Sequence, residues 1–540
     1  MIFKPLRGFV VFVIALALAG CGSGEREVDL AAKQGILLVG NYGEPATLDP
    51  QLVTGVPENK ILAELMEALT ALHPTDPSIV SPGIAESWEH NDDFTQWTFH
   101  LRENAKWTNG DPVVAGDILY SWRRILTPEL GAQYADLLHI VRGAEAYNSG
   151  EISDFSRVGV SAPDDFTVVV DLVQPSPHFD HIVVTPGLGP INQRAVEANG
   201  TMTDRRNPWA TLENYVSNGP FRLKQWRDNQ LIELERNPDY WDAANVKLNA
   251  VRFFPIDNSK TEENLFFDGR LHVTSTIPAD KIPYHRKNNP DLLVSKPAFA
   301  NYYYYFNVER EALKDVRVRQ ALSLAIDRQL LVDRVVQGGQ SPAGGFLPPG
   351  FSNYPTSTEI IYDPDRARKL LADAGYPGGK GFPDHEILIN TLESHRKIAE
   401  AVQEMWGNEL GIDVGIYNQE WRVYLDSMDN NDFSIARAGL NYGAPDAYGA
   451  LYWMGTGGLF NRGNWSDARF DKLLEDAGDE TDLTRRNQLL QQAEAILNTE
   501  LPVIPIYWDR DNLLLDPQVK GWSKDLYNNP PFKYVYFESD

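Results

Sequence analysis

Ala85-Glu86-Ser87-Trp88, Trp97-Thr98-Phe99-His100-Leu101-Arg102, Ala105-Lys106-Trp107, Gly110 and Tyr120-Ser121-Trp122 form the stretch on which the reading of this chain turns. Residues 97–101 alternate aromatic, polar and apolar side chains, the period of a half-buried strand. Asn109-Gly110 marks a turn, and a helix is expected to begin near Asp117. Trp88, Trp97, Trp107 and Trp122 all fall within it. Rings of this size are most often core, where they bury a large area and find a partner for the indole N–H.

Working outward, Ile36-Leu37-Leu38-Val39 reads as a buried strand followed by a Gly/Pro-rich turn that runs to Pro50. Ile61, Leu62, Leu65, Met66 and Leu69 recur at helical spacing, which predicts a helix from residue 59 to about 72. Residues 166–170 form another buried strand, and short strand-like pieces fill 231–254. From residue 316 long helices take over, the first lined by Val318, Ala321, Leu322, Leu324 and Ala325. Asp363-Pro364 to Ala374-Gly375 carries an Asp cap, a Pro in the first turn and a Gly at the end. Residues 503–507 return to strand. Strands and helices in blocks, without a fixed repeat, describe an α/β protein, and a composition that returns late implies a domain assembled from distant segments.

The chain has 540 residues, a formal charge of −26, 43% hydrophobic residues, 13 Trp and 23 Tyr. That is enough for two or three domains with large cores. The acidic balance argues against nucleic acid, whose binders need a basic face to displace counterions. At the N-terminus Lys4 and Arg7 precede an apolar run over residues 8–19, and Leu18-Ala19-Gly20-Cys21 closes it with the single Cys of the sequence. One thiol forms no internal disulfide. The run is too short to span a bilayer, and no later segment approaches about eighteen uninterrupted apolar residues. The arrangement resembles the lipobox of bacterial lipoproteins, which implies a signal peptide over 1–20, acylation of Cys21 and a polar linker over 21–35.

Motifs for common chemistries are missing from the sequence. There is no Gly-x-Ser-x-Gly elbow, no phosphate loop ending in Gly-Lys-Ser/Thr and no His-Glu-x-x-His. His178 and His181 sit three apart without a third ligand nearby and read as a helix start after Pro177, with no metal expected. Gly455-Thr456-Gly457-Gly458 reads as a loop. Residues 302–305 are four consecutive tyrosines; in a strand, alternate rings point to opposite sides, so two of them are candidates to line a cleft.

The stretch over residues 85–122 is similar to the signature region of family 5 extracytoplasmic solute-binding proteins, the peptide-binding components of ABC importers. Further matches to the oligopeptide-binding type are Leu48-Asp49-Pro50, Gly55-Val56-Pro57-Glu58, Asp315-Val316-Arg317-Val318-Arg319, Asp327-Arg328, Asn418-Gln419-Glu420-Trp421 and Ala436-Arg437-Ala438-Gly439. The resemblance implies a two-lobed, periplasmic-binding-protein-like α/β fold with mixed sheets, a ligand cleft between the lobes and an extra third domain. The expected division is 36–68 with 190–298 and 508–540 for the first lobe, 69–189 for the accessory domain and 299–507 for the second lobe. It further implies an extended peptide held through its main chain, with Thr54, Gly55 and Val56 as one edge and Gly439, Leu440 and Asn441 as the other. Trp421 and Tyr134 would be walls, and Arg437 and His395 would meet the ligand's carboxyl end.

One departure matters. The oligopeptide type carries an Asp shortly after Ala-Arg-Ala-Gly that holds the peptide's terminal ammonium, whereas this chain reads Leu440-Asn441-Tyr442-Gly443-Ala444-Pro445-Asp446. Asn441 accepts a hydrogen bond but does not neutralise an ammonium, and an unpaired buried charge costs about 3 to 5 kcal/mol. Either another acid such as Asp446 takes over or the ligand lacks a free α-amine. Thr54 and Met428 also stand where the type has charged residues. The expectation is therefore a monomeric, lipid-anchored binding protein of the periplasm or cell surface, not an enzyme and without a cofactor. It captures oligopeptides for an ABC permease and its ATPase. The rivals are a blocked, cell-wall-derived or non-peptide ligand on the same scaffold, a peptide-sensing receptor, and a secreted glycan hydrolase suggested only by acids and aromatics.

Overall fold

The computed structural model describes residues 25–53, 55–74, 79–351, 354–442, 446–458, 460–522 and 531–538. Helix α1 (Glu27–Lys33) precedes β1 (Ile36–Gly40) and α2 (Val56–Leu65). Next come β2 (Ala85–His90), β3 (Gln96–Leu101), α3 (Ala115–Leu126), β4 (Val160–Asp164) and β5 (Thr167–Asp171). They are followed by β6 (Phe221–Arg227), β7 (Leu231–Arg236), β8 (Ala250–Phe254) and α4 (Ser259–Phe267). One four-stranded sheet runs β1-β8-β7-β6 and another β2-β3-β5-β4. β1 pairs parallel with β8 and is buried along its whole length, as a strand covered on both faces must be. β3 alternates instead, with Trp97, Phe99 and Leu101 turned inward. Side chains from both sheets, among them Leu37, Val39, Phe99, Trp107 and Trp122, share one continuous core.

Two of those tryptophans also fix local geometry. Asp117, in the first turn of α3, accepts from the Val114 N–H and from Trp107 Nε1, both at 3.0 Å, and Trp122 Nε1 donates to the Leu188 carbonyl at 2.9 Å. The same helix supplies Arg124, fully buried, whose two terminal nitrogens grip both oxygens of Asp49 at 3.0 and 2.6 Å. Trp209 Nε1 adds a bond to Asp49 at 3.1 Å, and Gln51 accepts from Arg124 at 2.8 Å. This network ties the loop after β1 to the region built around β2–β5.

The second half contains β9 (Leu293–Phe306), α5 (Val316–Leu324), α6 (Pro364–Asp373), β10 (His385–Asn390), α7 (Glu393–Leu410) and β11 (Val414–Gln419). After these come α8 (Trp421–Asp429), β12 (Ile435–Asn441), α9 (Ala447–Tyr452), α10 (Leu483–Glu500) and β13 (Val503–Leu514). A six-stranded mixed sheet runs Ser341–Pro342, β13, β9, β12, β10, β11. Apolar cores lie on both of its faces. Tyr302 and Tyr304 enter one and Tyr303 and Tyr305 the other, as a period of two requires.

β9 and β13 are the long strands, and they pair antiparallel over most of their length. Leu293 and Leu514, at one end of the ladder, pack with Phe266, Leu271 and Ile282 of the first half. Tyr304 and Ile504, at the other end, sit in the core of the six-stranded sheet. The register breaks between Pro297 and Asn301, where the pair passes from one body to the other.

Two expectations need correction. The linker over 21–35 is not a plain spacer in its described part: α1 buries Val28 completely and Ala31 to 5% exposure, because their apolar side chains cover Ile36 and Leu38 of β1. The helix placed over 59–72 starts at Val56 and stops at Leu65, since Pro57 suits a first turn and Met66 is extended (φ −122, ψ 135). Met66 and Leu69 are buried all the same, and residues 70–72 continue as a short strand. Asp49→Asn would leave Arg124 buried without its counter-charge. It is expected to cost about 3 to 5 kcal/mol, read as a lower denaturant midpoint.

Candidate functional site

β12 lies between β9 and β10 but is only half covered. Its seven residues all pair with β9, whereas β10 matches only Ile435 and Ala436. The Tyr442 N–H donates to Phe299 O at 2.9 Å, which sets the alternation of the antiparallel ladder. Ala436, Ala438 and Leu440 therefore exchange bonds with β9, and the main-chain groups of Arg437, Gly439 and Asn441 point the other way. The Tyr424 hydroxyl donates to the Arg437 carbonyl. Beyond it, among the described residues, no strand pairs with the N–H and C=O groups of Gly439 and Asn441, and both residues are exposed.

Gly439 stands opposite Tyr302 in the ladder. A Cβ at Gly439 would press on Asn301 O at 3.0 Å and would only touch Arg437 Nη2, at 3.7 Å; the Arg437 guanidinium lies over the Tyr302 ring, 4.9 Å from the centroid. Tyr302 stacks on Tyr507 at 4.8 Å. Its hydroxyl meets His395 Nδ1, on α7, at 3.4 Å. Arg437 Nη1 donates to Asn390 Oδ1 at 3.3 Å, while its Nε is buried without a partner. No carboxylate forms an ion pair with Arg437 among the described residues. Burial first, and the Arg437 charge second, hold His395 well below its usual pKa, so the ring is neutral beside a permanently charged fork.

Sequence reasoning missed the acids on the same face. Asp509 and Asp511, two apart on β13, follow Tyr507 with the period of a strand, and that spacing in Tyr507-Trp508-Asp509-Arg510-Asp511 was the available signal. Asp511 lies 3.9 Å from Lys296, and burial pushes its carboxyl up to about 6. Lys60 from α2 donates to the Gly40 carbonyl at 2.8 Å; burial lowers its pKa and raises that of its neighbour Glu262, which accepts from the Ser275 N–H at 2.7 Å. Charged groups thus gather where β9 and β13 cross.

Of the remaining expected residues, Gly55 is extended (φ −78, ψ 152) and leads Val56, 46% exposed, into α2. A Cβ at Gly55 would lie 2.2 Å from Glu58 Oε2, and Glu58 in turn accepts from the Ala46 N–H. No hydrogen bond among the described residues joins Gly55 or Val56 to β12. Leu440 is buried behind the sheet, where its N–H also meets Asn301 Oδ1 at 3.3 Å. Asp446 is not a free acid: Arg486 grips both its oxygens at 2.7 and 2.8 Å and holds the carboxyl low against the upward push of burial, and one oxygen caps α9 through the Tyr448 N–H. Tyr134 is half-buried against the core of the first half. Cys21, Thr54 and the side chain of Trp421 lie outside the described residues. Among the described residues no group of three or more His, Cys, Asp or Glu could hold a metal ion, and no helix is long and apolar enough to cross a membrane.

Two lobes joined by a pair of crossing strands, with an open strand edge and a charged floor between them, define a solute-binding protein of the periplasmic-binding type. The profile of the bacterial extracellular solute-binding proteins, family 5 Middle, matches residues 80–461, and the chain belongs to that family, whose members bind rather than catalyse. The periplasmic oligopeptide-binding protein OppA of Salmonella typhimurium is 35% identical over 550 residues, covering 98% of this chain and 97% of its own. Haemophilus influenzae OppA in complex with RPPGFSPFR superimposes with a TM-score of 0.85 at 32% identity, over 94% of this chain and 99% of that one. The Escherichia coli murein tripeptide binding protein MppA aligns at 0.84 and 32% identity over 93% of this chain and 98% of that one. Its unliganded open form reaches only 0.70 over 94% and 98%. The chain is thus more similar overall to the peptide complex than to the unliganded open form.

Because His395 is held neutral in the fold while an unfolded His protonates near pH 6.5, its contribution is fully present above that pH and is lost as pH falls through it. The melting temperature of the wild type is expected to drop more between pH 7 and pH 5 than that of His395→Gln.

Proposed function

We propose that this protein captures oligopeptides in extended form between its lobes and delivers them to an ABC importer. The observation that carries the reading is the open edge of β12. Unpaired main-chain N–H and C=O groups demand partners, and a peptide laid alongside supplies them at the spacing of a strand. Gly439 and Asn441 would form one side of the ligand ladder, and Thr54, Gly55 and Val56 the other. Arg437, a planar fork without an acidic partner among the described residues, suits the ligand carboxylate, with neutral His395 beside it and Tyr302 beneath. Tyr134 and Trp421 would close the sides. Affinity from backbone groups is indifferent to sequence, and water adapts the side-chain pockets.

The peptide-binding names of the relatives support this reading, as does the greater overall similarity to the peptide complex than to the open form. The division into lobes at residues 36–68 with 190–298 and 508–540, 69–189, and 299–507 belongs to the same proposal, as do the anchor at Cys21, the periplasmic or cell-surface location, the monomeric state and the partnership with permease and ATPase subunits.

Calorimetry with trialanine and with a copy N-methylated at its central amide tests the backbone account. Each lost hydrogen bond is worth about 1 kcal/mol, so the methylated peptide is expected to bind about fivefold more weakly or worse. Equal affinity would contradict the proposal, as would recovery of a cleaved peptide. Arg437→Gln is expected to weaken binding of trialanine about tenfold or more while leaving its C-terminal amide nearly unaffected.

A further inference from the structure

After β5 the chain runs through Leu172-Val173-Gln174-Pro175-Ser176-Pro177, and this segment is pinned on both sides of Gln174. The Val173 N–H donates to the Ile140 carbonyl at 2.8 Å, and the Ser176 N–H donates to the Phe94 carbonyl at 3.1 Å. Pro175 and Pro177 fix their own φ, so little backbone freedom remains. Gln174 is therefore carried by a region that the buried Asp49–Arg124 pair ties to the first lobe.

Its side chain meets the second lobe. Gln174 Nε2 donates to the Tyr448 hydroxyl, on α9, at 2.7 Å. That phenol is itself held in place: the Arg486 guanidinium lies 5.1 Å from its centroid, and Tyr452 stacks on it at 5.7 Å. Asp446, gripped by Arg486, accepts from the Tyr448 N–H at 3.2 Å. A separate feature points to the same contact. Gly478 is buried in the helix Ala468–Asp479, and a Cβ there would lie 2.6 Å from Gln174 Nε2 and 2.8 Å from its Cδ. A glycine weakens a helix relative to alanine, and Gly478 has no positive φ to require one. The bare backbone is explained as the seat of the Gln174 amide.

We propose that Gln174, seated on Gly478 and bonded to Tyr448, is a clasp between the accessory region and the second lobe that slows release of the bound guest. The inference rests on the peptide reading above, in which the guest lies between the lobes and leaves when they part. It gives the accessory region a kinetic role: contacts to the guest decide what binds, and the clasp sets how long it stays. Both partners are positioned before they meet, so the bond costs little ordering entropy. The clasp joins protein to protein and not protein to guest, so it slows the release of every peptide by the same factor.

A rapid-filtration chase of isotope-labelled trialanine and N-acetyl-trialanine tests it. Gln174→Ala and Tyr448→Phe are each expected to speed release about fivefold, and the double variant to be no faster than either alone, because all three lose the same bond. Gly478→Ala is expected to speed release as well, by displacing the amide, while its melting temperature stays at or above that of the wild type; this separates loss of the clasp from loss of the fold. Unchanged release in all the variants would overturn the clasp and leave the peptide reading intact, as would a double variant whose acceleration is the product of the two single ones. An effect confined to one of the two peptides would also overturn it, since Gln174 would then be touching the guest. A wild type that binds neither peptide would remove the peptide reading, and small-angle scattering of the free protein then decides the clasp: a larger radius of gyration in Gln174→Ala supports it, and the wild-type radius overturns it.

Discussion

A strand has two hydrogen-bonding edges, and β12 uses only one of them beyond Ala436. The rest of the molecule is arranged around that constraint. Leaving main-chain groups without partners in a partly dry cleft is costly, and an exposed sheet edge invites pairing with any extended chain. Here the edge lies inside a cleft with charged walls, so only a guest small and extended enough to enter can pair with it. Gly439 leaves the main chain on that edge unobstructed, and a Cβ there would press on Asn301 O at 3.0 Å.

Capture requires the lobes to part, and the strands β9 and β13 are where the chain permits it. Each has one end in the core of the first half and the other in the core of the six-stranded sheet. The broken register between Pro297 and Asn301 loosens the pairing at the passage, which is where bending is cheapest. The buried Asp49–Arg124 pair, by contrast, locks the accessory region to the first lobe, so those two travel together. The contact from Gln174 to Tyr448 joins the two bodies and would have to break if they parted.

Much of this was legible in the sequence because it depends on local period and on short motifs. The alternation over residues 97–101 marked β3, the Asp and Pro at 363–364 marked the start of α6, and the four tyrosines divided between two faces as a strand demands. The resemblance over residues 85–122 set the fold. What failed did so where tertiary packing outweighs pattern. Residues 27–33 are polar on one side and became a helix because β1 needed a cover, and Met66 and Leu69 kept helical spacing while the backbone turned to strand. The pairing of Asp446 with Arg486, forty residues on, has no local signature.

The central claim is that main-chain groups of β12 bind the guest, and amide hydrogen exchange at Gly439 and Asn441 tests it most directly. Addition of saturating trialanine is expected to slow exchange at one or both amides strongly, with little change at Ala438 and Leu440, whose N–H groups already face β9. If the peptide binds while exchange at Gly439 and Asn441 stays as fast as in the free protein, the guest is held some other way and the account is wrong.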